Sequence, residues 1–526
     1  MAQAAAQPGV SGDSSRSPLL EMLIIAAPTV ATMTSYTAMQ FVDKWMVSRI
    51  HPPDAVYVAA QGNGGLIAFV PIAIVMGLLQ VINTYVSQNY GAGRPERGAA
   101  YGWNGLWLAL AAQVLLFPYA MAVPAIFGMM NHSAELVRLE TQYAQILLMG
   151  AFFTMSTRGI AHFFYGLHRP MTVLIAALVG NVVNVFANWM LIYGNLGAPA
   201  LGVSGAAVGT IIGTAVELSI PIAVFLSPRY ARLFGTRRAW RPSWAHVADI
   251  LRIGWPAALM FGSEIVCWGY FMAKLVGGFG EAQNTAGWIA LQYMHLSFMP
   301  AIGISIAVTA MVGKAMGMKR PDIAARRAYL GMGVTMGYMG LCALGFLLLR
   351  HPLVGVFIPA GMDDAARAEI LRIGGWVMIV AAAFQLFDAV AVTISAALRG
   401  AGDTVWPGVL TMILAWSLIV GGGHAMIALA PGLESLGPWI ASAAYIVALG
   451  SILLIRFMRG RWRSLDLLAR SAGAVPPEGK GAEVEPPDPT PVTCVQCGYD
   501  RTGLEGRAAC PGCGTEPAPA AVGPAA

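Results

Sequence analysis

The sequence predicts an all-α integral membrane protein: twelve transmembrane helices in two six-helix lobes, with a small four-cysteine module behind them. Three observations carry that expectation: composition, the number of apolar runs, and an internal repeat. Of 526 residues, 57% are hydrophobic and only 11% charged, with a mean hydropathy of +0.64. Soluble domains carry about 25% charged residues. A bilayer span takes about 20 mostly apolar residues, and roughly twelve segments qualify.

Residues 1–17 are polar and rich in Ala, Gln and Ser, and read as a disordered start. The apolar run that follows is too long for a signal-peptide core and lacks a small-residue cleavage site, so it is kept as the first span. Spans are expected at 19–50, 58–89, 100–122, 135–165, 171–193, 201–226, 248–278, 284–316, 326–349, 366–398, 405–429 and 437–458. Several exceed the minimum and should tilt. The first lobe then covers 18–226 and the second 248–463, joined by a cytoplasmic linker at 227–247.

The net charge of +6 becomes informative once mapped. Arg94 and Arg97, Arg169, the group from Arg229 to Arg241, Lys319 to Arg327, Arg399, and Arg456 to Arg463 fall in alternate connections. Cytoplasmic loops carry the excess of Lys and Arg, so both termini are expected inside. An even number of spans requires the same.

The third observation is duplication. The stretch Gly77-Leu-Leu-Gln-Val-Ile-Asn-Thr-Tyr-Val-Ser-Gln-Asn-Tyr-Gly-Ala-Gly-Arg-Pro-Glu96 has a counterpart offset by 226 residues, from Gly303 to Asp322. Each copy ends a span with Gly and then Arg-Pro-acid. Pro28 and Pro256 form a weaker echo near the starts of the first and seventh spans. Two halves in the same orientation follow the parallel-repeat plan of transporters, with a site between them.

Three carboxylates interrupt the apolar runs: Asp43, Glu264 and Asp388. A charge near the bilayer centre costs about 2.5–3.5 kcal/mol even on the lenient insertion scale, so such acids mark ion or proton sites. A desolvated carboxylate can take a proton, and when ionised it is a hard oxygen ligand. Asp43 also reads as a hydrated acid at a span end; Lys44 beside it points about 100° away and pairs poorly. Asn181, Asn184 and Asn188 share one helical face, which either lines a cavity or joins helices by polar contacts. Gln292 and Gln385 are of the same kind. Arg158 and His162 lie toward a span end, where snorkelling accounts for them.

The membrane part, about residues 18–463, resembles the multidrug and toxic compound extrusion (MATE) family, most of all its bacterial NorM-like branch. The motifs are Phe41-Val-Asp-Lys-Trp-Met46, Val86-Ser-Gln-Asn-Tyr-Gly-Ala-Gly93, Asn184 and Asn188 running into Ile192-Tyr-Gly-Asn-Leu-Gly-Ala-Pro199, Leu201-Gly-Val-Ser-Gly-Ala206, Gly254-Trp-Pro-Ala257 with Glu264, Phe387-Asp388-Ala389, and Leu398-Arg-Gly-Ala-Gly-Asp403. The resemblance implies a V-shaped pair of lobes and antiport of organic, often cationic, compounds against Na+ or H+. It implies that Glu264 and Asp388 bind the coupling cation and that Asp43 serves coupling in the other lobe. Of the polar residues read above, Asn184, Asn188 and Gln292 are the ones expected toward a substrate cavity. Two positions depart from the family pattern. Asn188 stands where the archaeal-type branch has Asp, which leaves an N-lobe site one carboxylate. Ala286-Gly287-Trp288 replaces the common Ala-His-Gln of the eighth helix.

Behind the spans, 464–493 reads as a disordered linker rich in Pro and Glu, and 515–526 as a disordered tail. Between them, Cys494-Val-Gln-Cys497 and Cys510-Pro-Gly-Cys513 have the spacing of a tetrahedral Zn2+ site in a zinc-ribbon-like module at 494–514. A cytoplasmic tail argues against disulfides. Cys267 and Cys342 read as packing residues.

The expected function is therefore a cation-coupled exporter of small organic compounds in the bacterial inner membrane, monomeric, and not an enzyme. Nucleic acid is not an expected partner, since the tail lacks a basic-aromatic surface. Alternatives are a lipid-linked oligosaccharide flippase of the same superfamily and a metal-responsive membrane protein using the zinc module. A flippase would line its cavity with several cations; here Lys44 and Lys274 are the candidates. No Gly-x-x-x-x-Gly-Lys-[Ser/Thr] motif is present, so ATP-driven transport is not expected.

Overall fold

The computed structural model describes residues 17–471 apart from 53, 131 and 359–361. Cys494, Cys497, Cys510 and Cys513 lie outside the described residues. The described chain is helical. Eleven helices are long and apolar enough to cross a membrane, or twelve if one bent pair counts as a single span.

In chain order these are α1 (Pro18–Val47), α2 (Val56–Gly91), α3 (Glu96–Gly128), α4 (Ala134–Met149 with Ala151–Gly166), α5 (Pro170–Tyr193), α6 (Val203–Phe225), α7 (Trp244–Phe279), α8 (Glu281–Gly317), α9 (Pro321–Leu348), α10 (Asp364–Ala401), α11 (Val405–Leu429) and α12 (Leu436–Met458). Each expected span has a helical counterpart with ends within six residues, the fourth only as the bent pair. The two parts of α4 meet at 47° around Gly150, a bend that hydropathy alone does not show.

Local chemistry sets the ends. Ser17 caps α1, its hydroxyl accepting from Leu20 N at 3.3 Å, with Pro18 at the first helical position. Asp363 caps α10 by accepting from the amides of Ala365 and Ala366. Gly402 ends α10 in the left-handed region at φ 91°, which a side chain would strain. Asp403 just beyond it accepts from Arg456, Nη2 to Oδ2 at 2.9 Å, so this motif is an end-cap and an ion pair. Arg399, expected in a connection, instead lies inside the last turn of α10.

The connection between the halves is held on the first half. A short helix, Pro228–Phe234, opens it. The indoles of Trp103 and Trp107 donate to the carbonyls of Thr236 and Trp240 at 2.6 and 2.8 Å.

The apolar residues form two large clusters. One gathers α7 to α12 and includes Met22, Ile25 and Ala26 from the start of α1. The other gathers α2 to α6 and includes Ile250 and Ile253 from the start of α7. Each half thus lends the first turns of its first helix to the other. The repeat explains the pattern. A Cβ on Gly77 would lie 2.8 Å from the Ala257 carbonyl oxygen, just after Pro256. A Cβ on its repeat partner Gly303 would lie 2.6 Å from the Cα of Val30, just after Pro28. The same crossing is built twice.

At the end of the bundle carrying the Arg-Pro loops, polar side chains join the halves. Thr84 Oγ1 and Gln88 Nε2 donate to the carbonyls of Arg399 and Gly400 at 3.0 and 2.9 Å, and Asn83 reaches the Ile306 carbonyl at 3.3 Å. Arg399 Nη1 donates to Gln80 Oε1 at 2.8 Å.

Candidate functional site

In the second half, α7, α10 and α12 bring Glu264, Asp388 and Tyr445 together. The Tyr445 hydroxyl donates to Glu264 Oε1 at 3.0 Å, and Tyr445 is almost fully buried. Asp388 lies within electrostatic reach of both Glu264 and Tyr445. The two acids, separated by over a hundred residues in sequence, therefore share one neighbourhood. Tyr445 escapes sequence reasoning, although a tyrosine among small residues (Ser442-Ala-Ala-Tyr445) must place its hydroxyl on a partner when buried.

In the first half, Asp43 on α1 accepts from Asn188 Nδ2 of α5 at 2.6 Å. That nitrogen also reaches Asn184 Oδ1 at 3.2 Å, and Asn184 in turn donates to Thr210 on α6 at 3.5 Å. Asn181 donates to the Ser35 carbonyl of α1 at 3.3 Å. The asparagine face thus joins α5 to α1 and α6. One atom is left over: Asn188 Oδ1 is buried without a hydrogen-bond partner, aimed at Gly209, where a Cβ would displace it. Asp43 is the acid of an inward-facing network, and Lys44 points elsewhere.

Gln292 lies on α8, where with Gln40 and Lys44 it lines a cavity of about 210 Å³ between α1 and α8. Gln385 does not reach it; its amide donates to Ser297 Oγ at 2.9 Å and joins α10 to α8. A larger hollow of about 880 Å³ between α1 and α5, walled by Trp45, Phe186 and Trp189, contains no carboxylate.

Arg158 does not snorkel. Its guanidinium sits 3.9 Å over the ring of Tyr36, whose hydroxyl donates to Glu217 Oε1. Glu217 on α6 is a further carboxylate inside an apolar run, as is Glu140 on α4, which holds His132 Nδ1 at 2.9 Å and Asn63 at 3.1 Å. The signal for both was present in the sequence, since an acid within a span is what marked the other three. Lys274 is exposed, not inside the bundle.

These buried and half-buried acids divide by partner. Asp403 pairs with Arg456, and Glu217 lies in the field of Arg158. Among the described residues no Lys, Arg or His pairs with Asp43, Glu264 or Asp388; neutral amide and phenol donors hold the first two. Such carboxylates keep the capacity to take a proton or a metal cation.

A duplicated bundle of apolar helices with carboxylates set inside it follows the plan of a membrane transporter. The MatE family model matches residues 28–190 and again 256–421, one match in each half. The chain belongs to the MatE family, whose members are transporters and not enzymes. It is 28% identical over 445 residues to a probable multidrug resistance protein NorM of Mesorhizobium japonicum, covering 83% of this chain and 93% of the relative. A protein of the same description from Shewanella oneidensis is 25% identical, over 84% and 94% of the two chains. Among solved structures, an outward-facing multidrug resistance MATE transporter of the MOP superfamily superposes with a TM-score of 0.75 at 20% identity, over 84% and 96%. A MOP superfamily transporter from Pyrococcus furiosus, described as having a binding pocket of reversed polarity, gives 0.77 at 20% identity, over 86% and 98%. These structures share the fold.

Proposed function

We propose that this chain is a cation-coupled antiporter that exports organic compounds by alternating access between two six-helix lobes. The observation that carries this is the absence of a cationic partner, among the described residues, for Glu264, Asp388 and Asp43. A carboxylate already neutralised by Arg, as Asp403 is, has no free valence for a coupling ion. Glu264 and Asp388 are the principal coupling acids, because two carboxylates in one neighbourhood can share a proton or together hold Na+. Asp43 is the single carboxylate of a second site, where Asn188, backed by Asn184, holds it, and Gln292 contributes a polar group to the cavity between α1 and α8.

The positive-inside pattern makes the closed, Arg-Pro end cytoplasmic, with both termini inside and the opposite end facing out. The NorM-type relatives favour drug export over flipping of lipid-linked sugars. The protein works as a monomer in the bacterial inner membrane. The cysteine pairs at 494, 497, 510 and 513 hold Zn2+ in an accessory module, a reading that rests on their spacing.

The test is export of an organic dye from vesicles under imposed Na+ or pH gradients, wild type against Asp388→Asn. Gradient-driven export should collapse in the variant. Export that follows the gradient unchanged would overturn the coupling assignment.

A further inference from the structure

The cavity between α1 and α8 has a construction that the coupling scheme does not use. Thr29 Oγ1 donates to the Gly303 carbonyl at 2.7 Å, fixing an antiparallel register between these helices. Counting outward equally on both helices sets Thr37 level with His295, Gln40 with Gln292, and Lys44 with Trp288. These residues, with Phe41 and Leu291, are the lining of the cavity of about 210 Å³. On each helix the lining falls at i, i+3, i+4 and i+7, so one continuous stripe of each faces the other. The facing stripes set Thr37, Gln40, Lys44, Gln292 and His295 among Phe41, Leu291 and Trp288.

Their chemistry has one sign. Lys44 supplies an ammonium, and His295 lies within its electrostatic reach. Gln40 and Gln292 supply amide donors. No carboxylate lines the cavity. Asp43, adjacent in sequence, is turned to Asn188 of α5 instead. Among the described residues no hydrogen bond or ion pair engages the Lys44 ammonium. Two of the walls are aromatic, Phe41 and Trp288, which are 66% and 55% exposed.

We propose that this cavity is a subsite for an anionic group carried on an aromatic compound, with Lys44 as the charge that selects it. A carboxylate or sulfonate would accept from Lys44 and the two glutamine amides, while Phe41 and Trp288 stack on the ring. The proposal rests on the export reading above but goes beyond it: compounds bearing an anion as well as a cation are recognised at a place separate from the coupling acids. The Trp288 ring supplies a wall of the same cavity that Lys44 lines.

The test compares two dyes that differ in one group, a rhodamine free carboxylate and its ethyl ester. Binding to the full chain in nanodiscs is read by fluorescence anisotropy, once in phosphatidylcholine and once with phosphatidylglycerol added. Lys44→Gln should weaken binding of the free acid about tenfold and leave the ester unchanged. Lys44→Arg should restore the free acid. Equal effects on both dyes, or none on either, would overturn the proposal. So would a free-acid preference in wild type that phosphatidylglycerol abolishes, because the site would then belong to lipid phosphate. Export of the ester under an imposed gradient, followed in the same preparations, reports separately on the antiport reading.

Discussion

Gly91 and Gly317, equivalent positions of the two halves, each lie against the backbone of the other's helix. A Cβ on Gly91 would stand 2.8 Å from the Lys314 carbonyl carbon, and a Cβ on Gly317 would stand 2.8 Å from that of Gln88. Gln88 and Lys314 are themselves repeat partners. A pseudo-twofold axis therefore passes between the ends of α2 and α8, and the two helices close that end of the bundle by backbone approach.

Gly91→Ala and Gly317→Ala should each pry this end open, because the obstructing atoms are helix backbone and cannot rotate away. Overpacking of this kind costs about 1–3 kcal/mol. The expected readouts are a lower unfolding midpoint and a longer spin-label distance between positions 92 and 318. An unchanged distance in both variants would show that the crossing is looser than described.

Asn188→Asp should turn the first-half site into a carboxylate pair, since the amide nitrogen lies 2.6 Å from Asp43. Two carboxylates so close share one proton. Export under a pH gradient should become more steeply pH-dependent, and Asp43→Asn should abolish the gain. Identical pH profiles for wild type and Asn188→Asp would remove Asp43 from the coupling route.

Arg158→Met should destabilise the protein by about 1–3 kcal/mol, as Glu217 keeps its hydrogen bond from Tyr36 but loses its nearby cation. Glu217→Gln in that background should recover most of the loss. Melting of the detergent-solubilised protein checks both; a neutral Arg158→Met would mean that the cluster is not structural.

The purified chain should carry about one zinc, measured by elemental analysis, and Cys494→Ser with Cys510→Ser should remove it. Deleting 465–526 should leave dye export intact. Loss of all transport on deletion would favour a metal-responsive role for the tail.

The helices were legible because a span must bury its own backbone bonds in lipid, which writes length and apolarity into consecutive residues. The bend at Gly150 was not, since it depends on a close approach to Ile211 of α6 that no local pattern records. Arg399 misled for a related reason: its charge reads as a loop residue until Gln80, from the other half, is found accepting from it.

By itself the sequence determined the duplicated many-span plan, the MatE resemblance and three of the in-span acids, Asp43, Glu264 and Asp388. Only the tertiary structure decided what each acid can do. Asp403 and Glu217 sit near arginines, whereas Asp43 and Glu264 are held by neutral donors and Asp388 joins Glu264 beside Tyr445. The physical reason is reach. Hydropathy is a sum over neighbours in sequence, but the charge state of a carboxylate depends on the few atoms within several ångströms, and those come from helices far apart in the chain.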